Sequence, residues 1–205
     1  AADILDLSAA LAGAVAVISG GDQCVLASRT PIAIWRAGGH GLETVEPDEL
    51  PAPQPDPPPE AILDALRAAA SVPGVRLELK GPVAALHYRA APNQESMCHA
   101  AAQAAAESVP KHVWQAGKMV VEVKPDSAHK GRAIRRFMQR APFSGRRAIM
   151  IGDDTTDEDA MAAARELGGF GIKVGEGDTI AAYRTKSPAT LRAWLRNAAK
   201  VLAGT

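Results

Sequence analysis

The run Ala148-Ile149-Met150-Ile151, which breaks off at Gly152-Asp153-Asp154, constrains the fold more than any other stretch. Four consecutive apolar residues leave no side for water, so a strand here is buried on both faces, as in parallel sheets covered by helices. One other run shares this character, Ala14-Val15-Ala16-Val17-Ile18, which ends in Ser19-Gly20-Gly21; Phe170 to Val174, which follows the Gly168-Gly169 stop, is expected as a third strand. A further short strand is expected over Ile32 to Trp35, before Gly38-Gly39-His40-Gly41. Helical stripes lie among them. Ile4, Leu7 and Leu11 form the first; Ala133, Ile134, Phe137 and Met138 form a second, with Ser127 as its expected N-cap. Ala160, Met161, Ala164 and Leu167 form a third, and Leu191, Trp194, Leu195, Ala198 and Leu202 a last one opened by Ser187-Pro188.

The middle of the chain obeys a different rhythm. Pro51 to Pro59 reads Pro-Ala-Pro-Gln-Pro-Asp-Pro-Pro-Pro, which removes backbone donors and makes a semi-rigid passage. Beyond it, Val75, Leu77 and Leu79 alternate strictly with Arg76, Glu78 and Lys80. Helical stripes at Glu60–Ser71 and Gln94–Ser108 and strands at Val83–Arg89, His112–Ala116 and Met119–Lys124 give the order α-β-β-α-β-β. One antiparallel sheet with helices on one face is expected. Its open face would carry Arg76, Glu78, Lys80, His87, Arg89, Glu122 and Lys124. Such a face is either simply solvated or a grip for a sugar phosphate. The expected architecture is an α/β core over residues 1–50 and 125–205, interrupted by an α/β insert over 51–124.

Composition narrows the function. Lys+Arg and Asp+Glu number 23 each among 205 residues, 47% of residues are hydrophobic and 4% aromatic. That is ordinary for a folded enzyme and lacks the basic surplus and stacking aromatics of a nucleic-acid platform. No apolar run approaches the ~20 residues of a membrane span, and Ala1 to Ala16 has no basic leader, so a cytoplasmic enzyme is expected. Cys24 and Cys98 are expected to be two buried, reduced thiols.

Chemistry concentrates where the buried strands end. Acids at the carboxyl end of a parallel strand lie where open α/β sheets bind ligands. Asp153, Asp154, Asp157 and Glu158 cannot all stay ionised in a cleft without a cation, and a hard ion, Mg2+, suits them. Thr155 and Glu158 match a capping box, which assigns Glu158 to structure. Lys130-Gly131 opens a helix, where an anion is favoured and an ammonium adds a point charge. Ser19-Gly20 offers a hydroxyl and a bare amide to a phosphoryl oxygen. His40 and His129 read as packed or surface residues on their own.

Together these stretches resemble a known family. Val17-Ile18-Ser19-Gly20, Lys130-Gly131 and Gly152 to Glu158 resemble motifs of the haloacid dehalogenase (HAD) superfamily. Gly39-His40-Gly41-Leu42-Glu43, Glu78 to Arg89, Val121-Glu122-Val123-Lys124-Pro125 and Lys130 to Ile134 resemble the trehalose-6-phosphate phosphatases within it. The resemblance implies a Rossmann-like core with an inserted cap and Mg2+-dependent transfer of a phosphoryl group to an aspartate and then to water. Ser19 and Lys130 would hold the phosphoryl group, and Asp153 would ligate Mg2+ with Asp154 and Asp157 close by. Gly20, His40, Glu78, Lys80, His87, Arg89, Glu122 and Lys124 would bind substrate. It also implies a functional link to a trehalose-phosphate synthase, while the composition and the lack of a long apolar run lead us to expect no nucleic-acid or membrane partner. The alternatives are a phosphatase of another sugar phosphate and a non-catalytic sugar-phosphate-binding relative.

Two departures stand out. The family's nucleophile lies in an Asp-x-Asp-x-Thr motif on a first core strand, and nothing from Ala1 to Ile18 matches it. That strand would lie between the Val15–Ile18 and Ala148–Ile151 strands, so an upstream segment carrying it is expected, and the 205 residues alone are expected to be inactive. Second, Gly21 stands where the family usually has Arg.

Overall fold

The computed structural model describes residues 2–51 and 56–204. The chain divides into two compact units, one built from residues up to 52 and from 129 onward, the other from residues 53–128.

The first unit begins with α1 (Ala2–Ala10), β1 (Ala16–Ile18), α2 (Gln23–Arg29), β2 (Trp35–Gly38), a 3-10 turn at Gly39–Gly41 and β3 (Glu43–Val45). β1 pairs parallel with β2, Val17 opposite Arg36, and β2 pairs antiparallel with β3. β2 starts where the expected strand over Ile32 to Trp35 was to end. Pro31 has no amide to give, and the Ile34 amide bonds back to its carbonyl, so residues 31–34 turn before the strand begins. α2 had no apolar stripe to announce it. It is set by Asp22, whose carboxylate accepts from the amides of Cys24 and Val25. Cys24 is consequently exposed, not buried; Cys98 is buried.

The second unit runs α3 (Glu60–Ala70), β4 (Arg76–Lys80), β5 (Val83–His87), α4 (Glu95–Glu107), β6 (His112–Gly117) and β7 (Val120–Pro125). The strands form one antiparallel sheet in the order β4-β5-β7-β6. Both helices cover the face that carries Leu77, Ala84, Leu86, Val121 and Val123, meeting it with Ile62, Leu66, Cys98, Ala102 and Ala105. Each large side chain buried there contributes about 1.5–3 kcal/mol. Arg89 lies in a turn past β5, not on the strand as expected, because the Tyr88 amide already bonds to the Met119 carbonyl at the end of the ladder. Of the proline-rich passage, residues 52–55 lie outside the described residues, and Asp56 to Pro59 carry no regular structure.

The chain returns to the first unit with α5 (Lys130–Phe137), β8 (Ile149–Gly152), α6 (Thr155–Glu166), β9 (Phe170–Val174), β10 (Tyr183–Thr185) and α7 (Pro188–Ala203). β8, β9 and β10 make a parallel sheet in the order β10-β9-β8. α7 has Pro188 at its first turn and Ser187 as N-cap.

β1 and β8 do not pair. Between them lies a groove of about 530 Å³ lined by residues 14–18 and 146–151, with Ile134 and Phe137 of α5, Met138 just past it, and Leu191, Trp194 and Leu195 of α7. Among the described residues each of these strands has a partner on one edge only, and Ile149, in a strand, is 49% exposed. Buried backbone groups left unpaired cost free energy comparable to a lost hydrogen bond. Among the described residues no helix is long and apolar enough to cross a membrane.

Candidate active site

The Ser19-Gly20-Gly21 turn is fixed by continuing the β1–β2 pairing past the strands. The Ser19 amide bonds to the Ala37 carbonyl, the His40 amide to the Ser19 carbonyl, and the Gly39 amide to the Gly21 carbonyl. Ser19 Oγ accepts from the Gly21 amide at 3.0 Å. His40 is only 3% exposed, and its ring lies over Gly20: a Cβ added there would fall 2.5 Å from His40 Cε1. So His40 buttresses the turn. Gly41 follows with φ +93°, pressed against Ala133 of α5, and Arg136 donates to its carbonyl. The serine turn is thereby joined to the first turns of α5.

Lys130 is the first residue of α5. Its ammonium lies 2.7 Å from Asp157 Oδ1, and each side chain is 8% exposed. Asp157 is the third residue of α6, and its Oδ2 accepts from the amides of Asp153 (3.1 Å) and Asp154 (3.0 Å). Gly152 is required beneath this carboxylate, since a Cβ there would fall 2.2 Å from Oδ2. The capping box is therefore Asp154 with Asp157, not Thr155 with Glu158. Likewise the N-cap of α5 is His129, not Ser127. In both helices the chain stays extended two residues longer or one residue less than the sequence pattern suggests, and the side chain at the bend takes the cap.

Two further groups hold the acid turn. Lys173, buried on β9, donates to the Asp153 carbonyl at 2.8 Å and lies 3.7 Å from Glu158 Oε1. Glu158 also accepts from Thr179 Oγ1 (3.1 Å) and the Ile180 amide (2.9 Å), as suits a structural residue. Sequence reasoning missed Lys173. The available signal was a lysine inside a buried apolar strand, a place charges occupy only when paired.

On the open face of the second unit, Glu78 Oε2 lies 2.7 Å from His87 Nε2 and 3.1 Å from Arg76. Lys80 pairs with Glu122 at 3.3 Å, and the Lys124 ammonium donates to Gln115. Burial pushes the His87 ring below its usual value, with Arg76 and Lys80 adding to that against Glu78. Burial pushes the Glu78 carboxyl up, but Lys80, Arg76 and His87 together hold it below the usual range. Donors and acceptors alternate across a few residues, a surface chemistry suited to hydroxyl groups.

A model of the trehalose-phosphatase family matches residues 3–192. The chain belongs to that family. Its members are phosphoric monoester hydrolases. The chain is 39% identical over 193 residues to the trehalose-6-phosphate phosphatase of Escherichia coli, covering 92% of this chain and 73% of that one. Against other curated relatives it spans 65% or 49% of their length. The solved C-terminal domain of the Candida albicans trehalose-6-phosphate phosphatase superposes with a TM-score of 0.76 at 19% identity, over 100% of this chain and 84% of that one. A haloacid dehalogenase-like hydrolase of Bacillus subtilis superposes at 0.65 with 13% identity, over 94% and 92% of the two chains. The fold is the HAD-like α/β core with an α/β insert.

Proposed function

We propose that this chain forms the core and cap of a Mg2+-dependent phosphatase that converts trehalose 6-phosphate to trehalose and phosphate. The arrangement that carries the reading is the linkage of three elements in the first unit. Through His40 and Gly41 the Ser19 turn reaches α5, and through Asp157 the start of α5 reaches the Asp153-Asp154 turn. Ser19 thus follows β1, Lys130 opens α5 and the carboxylates follow β8, all within the first unit.

The donor set fits a hard divalent ion. Among the described residues nothing bonds to the Asp153 carboxylate, while the Asp154 side chain caps α6, accepting from the Thr155 amide at 2.7 Å and from the Asp157 amide of the capping box. Mg2+ commonly takes one or two carboxylates and keeps waters and substrate phosphate as its other ligands, so Asp153 and Asp154 suffice. Among the described residues no three His, Cys, Asp or Glu side chains converge. Both Asp157 oxygens are engaged, so this reading gives Asp157 the task of holding Lys130 and the acid turn. When bound, the ion would offset charge on the phosphoryl oxygens.

Within this reading, Lys130 holds the phosphoryl group by charge, and Ser19 Oγ and the Gly20 amide give it hydrogen bonds. Lys173, through the Asp153 carbonyl, keeps the acid turn in place. Glu78, Lys80, His87, Glu122 and Lys124 hold the sugar hydroxyls. The reaction is phosphoryl transfer to an aspartate. The P–O bond to the sugar breaks as the carboxylate–phosphorus bond forms, and a second carboxyl group, protonated at the start, gives the leaving oxygen its proton and is left as a carboxylate. Water then cleaves the acyl phosphate. The open edges of β1 and β8 and the apolar walls between them suit one more strand, and we place the nucleophile on it. The test is phosphate release by the chain carrying that strand. Trehalose 6-phosphate should be hydrolysed far faster than glucose 6-phosphate or glycerol phosphate; equal rates would overturn the substrate assignment.

A further inference from the structure

The sequence singled out His129 without giving it a task. The structure places its ring at the bend before α5. Nδ1 accepts from the Gly131 amide at 3.1 Å, and Nε2 lies 3.4 Å from Asp159 Oδ2 on α6. An acceptor Nδ1 requires the neutral ring with its proton on Nε2, facing Asp159. We propose that His129 is a positioning residue: its neutral imidazole caps the first turn of α5 and so holds the adjacent Lys130 in place, and protonation of the ring releases that turn.

The chemistry follows from the two ring nitrogens. An imidazolium has two donors and no acceptor, so the Gly131 amide loses its partner when the ring takes up a proton. The charged ring then repels an N–H where it had attracted one, while Asp159 draws it the other way. The half-exposed ring has room to move toward Asp159. Gly131 leaves little slack on the α6 side, since a Cβ on it would fall 2.7 Å from the Asp159 carbonyl. Asp159 is the charged group facing the ring from α6. The 39–41 turn presents Gly41 to the His129 carbonyl, and its titratable member, His40, lies over Gly20. On the ring's own segment the charged neighbours are Lys130 and Arg132. A cap of Ser, Thr, Asp or Asn would not lose its acceptor over the range in which imidazole titrates, so the residue type itself introduces the sensitivity.

The consequence for anion binding rests on the function proposed above; the cap does not. Two readouts keep them separate. In nuclear magnetic resonance of the whole chain, the ring nitrogen shifts of His129 should report the Nε2–H tautomer. The Gly131 amide signal should move with the midpoint of the ring and its hydrogen exchange should rise about tenfold on protonation, beyond the intrinsic pH dependence of exchange, the scale of a lost N-cap. His129→Ala should exchange fast throughout, and His129→Asn should restore protection at every pH. A Gly131 amide that ignores the ring's titration overturns the cap. The second readout is binding of sulfate, an oxyanion whose charge is constant over this range. Wild type should lose affinity severalfold more than His129→Asn as the ring protonates. Equal losses overturn the coupling to Lys130. Sulfate binding by neither protein overturns the phosphate reading and the coupling with it, and leaves the amide titration to decide the cap.

Discussion

Replacing Asp157 by Ala should destabilise the first unit by about 3–5 kcal/mol, the cost of stranding one partner of a buried ion pair. The structure sets the scale. Lys130 Nζ and Asp157 Oδ1 are 2.7 Å apart and 92% shielded. At an effective dielectric of about 20 their gross attraction is ~6 kcal/mol, which the desolvation of both charges partly offsets. Removing the carboxylate leaves the lysine desolvated with no compensation and frees two amides that water can reach, which adds little. Removing both charges, in Lys130→Met with Asp157→Ala, should cost less than Asp157→Ala alone. The assay is urea unfolding followed by Trp35 fluorescence, since this residue is buried against Phe137 and Phe143 in the first unit. An Asp157→Ala loss under about 1 kcal/mol, or strict additivity of the two single variants, would refute the reasoning.

Gly20→Ala should cost about 1–3 kcal/mol, because the new methyl must displace the His40 ring from its seat; a thermal melt checks the stability and the His40 ring signals check the displacement. Acid should weaken the second unit in two steps. The folded His87 ring binds its proton less readily than the unfolded one, so stability present above 6.5 is lost as pH falls from there through the lower folded value. The folded Glu78 carboxyl is likewise depressed, so its contribution goes as pH falls from 4.5 through its folded value. Melting temperature against pH should show both steps, and His87→Gln should remove the first. Tyr88 should resist ionisation until about pH 12, because burial raises its hydroxyl and the bond to Glu95 adds to it. Ultraviolet titration reads this directly, and Tyr88→Phe should cost about 0.5–1.5 kcal/mol.

Periodicity made the second unit legible. Strict alternation from Arg76 to Lys80 leaves one choice of face, and in the first unit the strand expected over Phe170 to Val174 spans those same residues. Elements without a pattern escaped: α2, β3 and β10 are short, and the local turn or neighbouring strand that fixes each is not written in its own residues. Caps escaped for a related reason. Ser127 and Thr155 are good capping residues, but His129 and Asp154 stand where the chain bends. The acid turn was visible as a cluster. Its division of labour was not, because it depends on Lys130, 27 residues before Asp157, and Lys173, 20 residues after Asp153. Nor could a sequence pattern show that the His40 ring lies on Gly20.

Calorimetric titration of the chain with trehalose 6-phosphate, with and without Mg2+, tests the central claim most directly. The sugar phosphate should bind, and Mg2+ should tighten it. Lys130→Ala should weaken binding at least about thirtyfold, the scale of ~2 kcal/mol for losing a buried charged contact. In Asp153→Asn the Mg2+ effect should vanish while the fold persists. Affinity indifferent to Lys130, or an undiminished Mg2+ effect without the Asp153 carboxylate, would contradict the account.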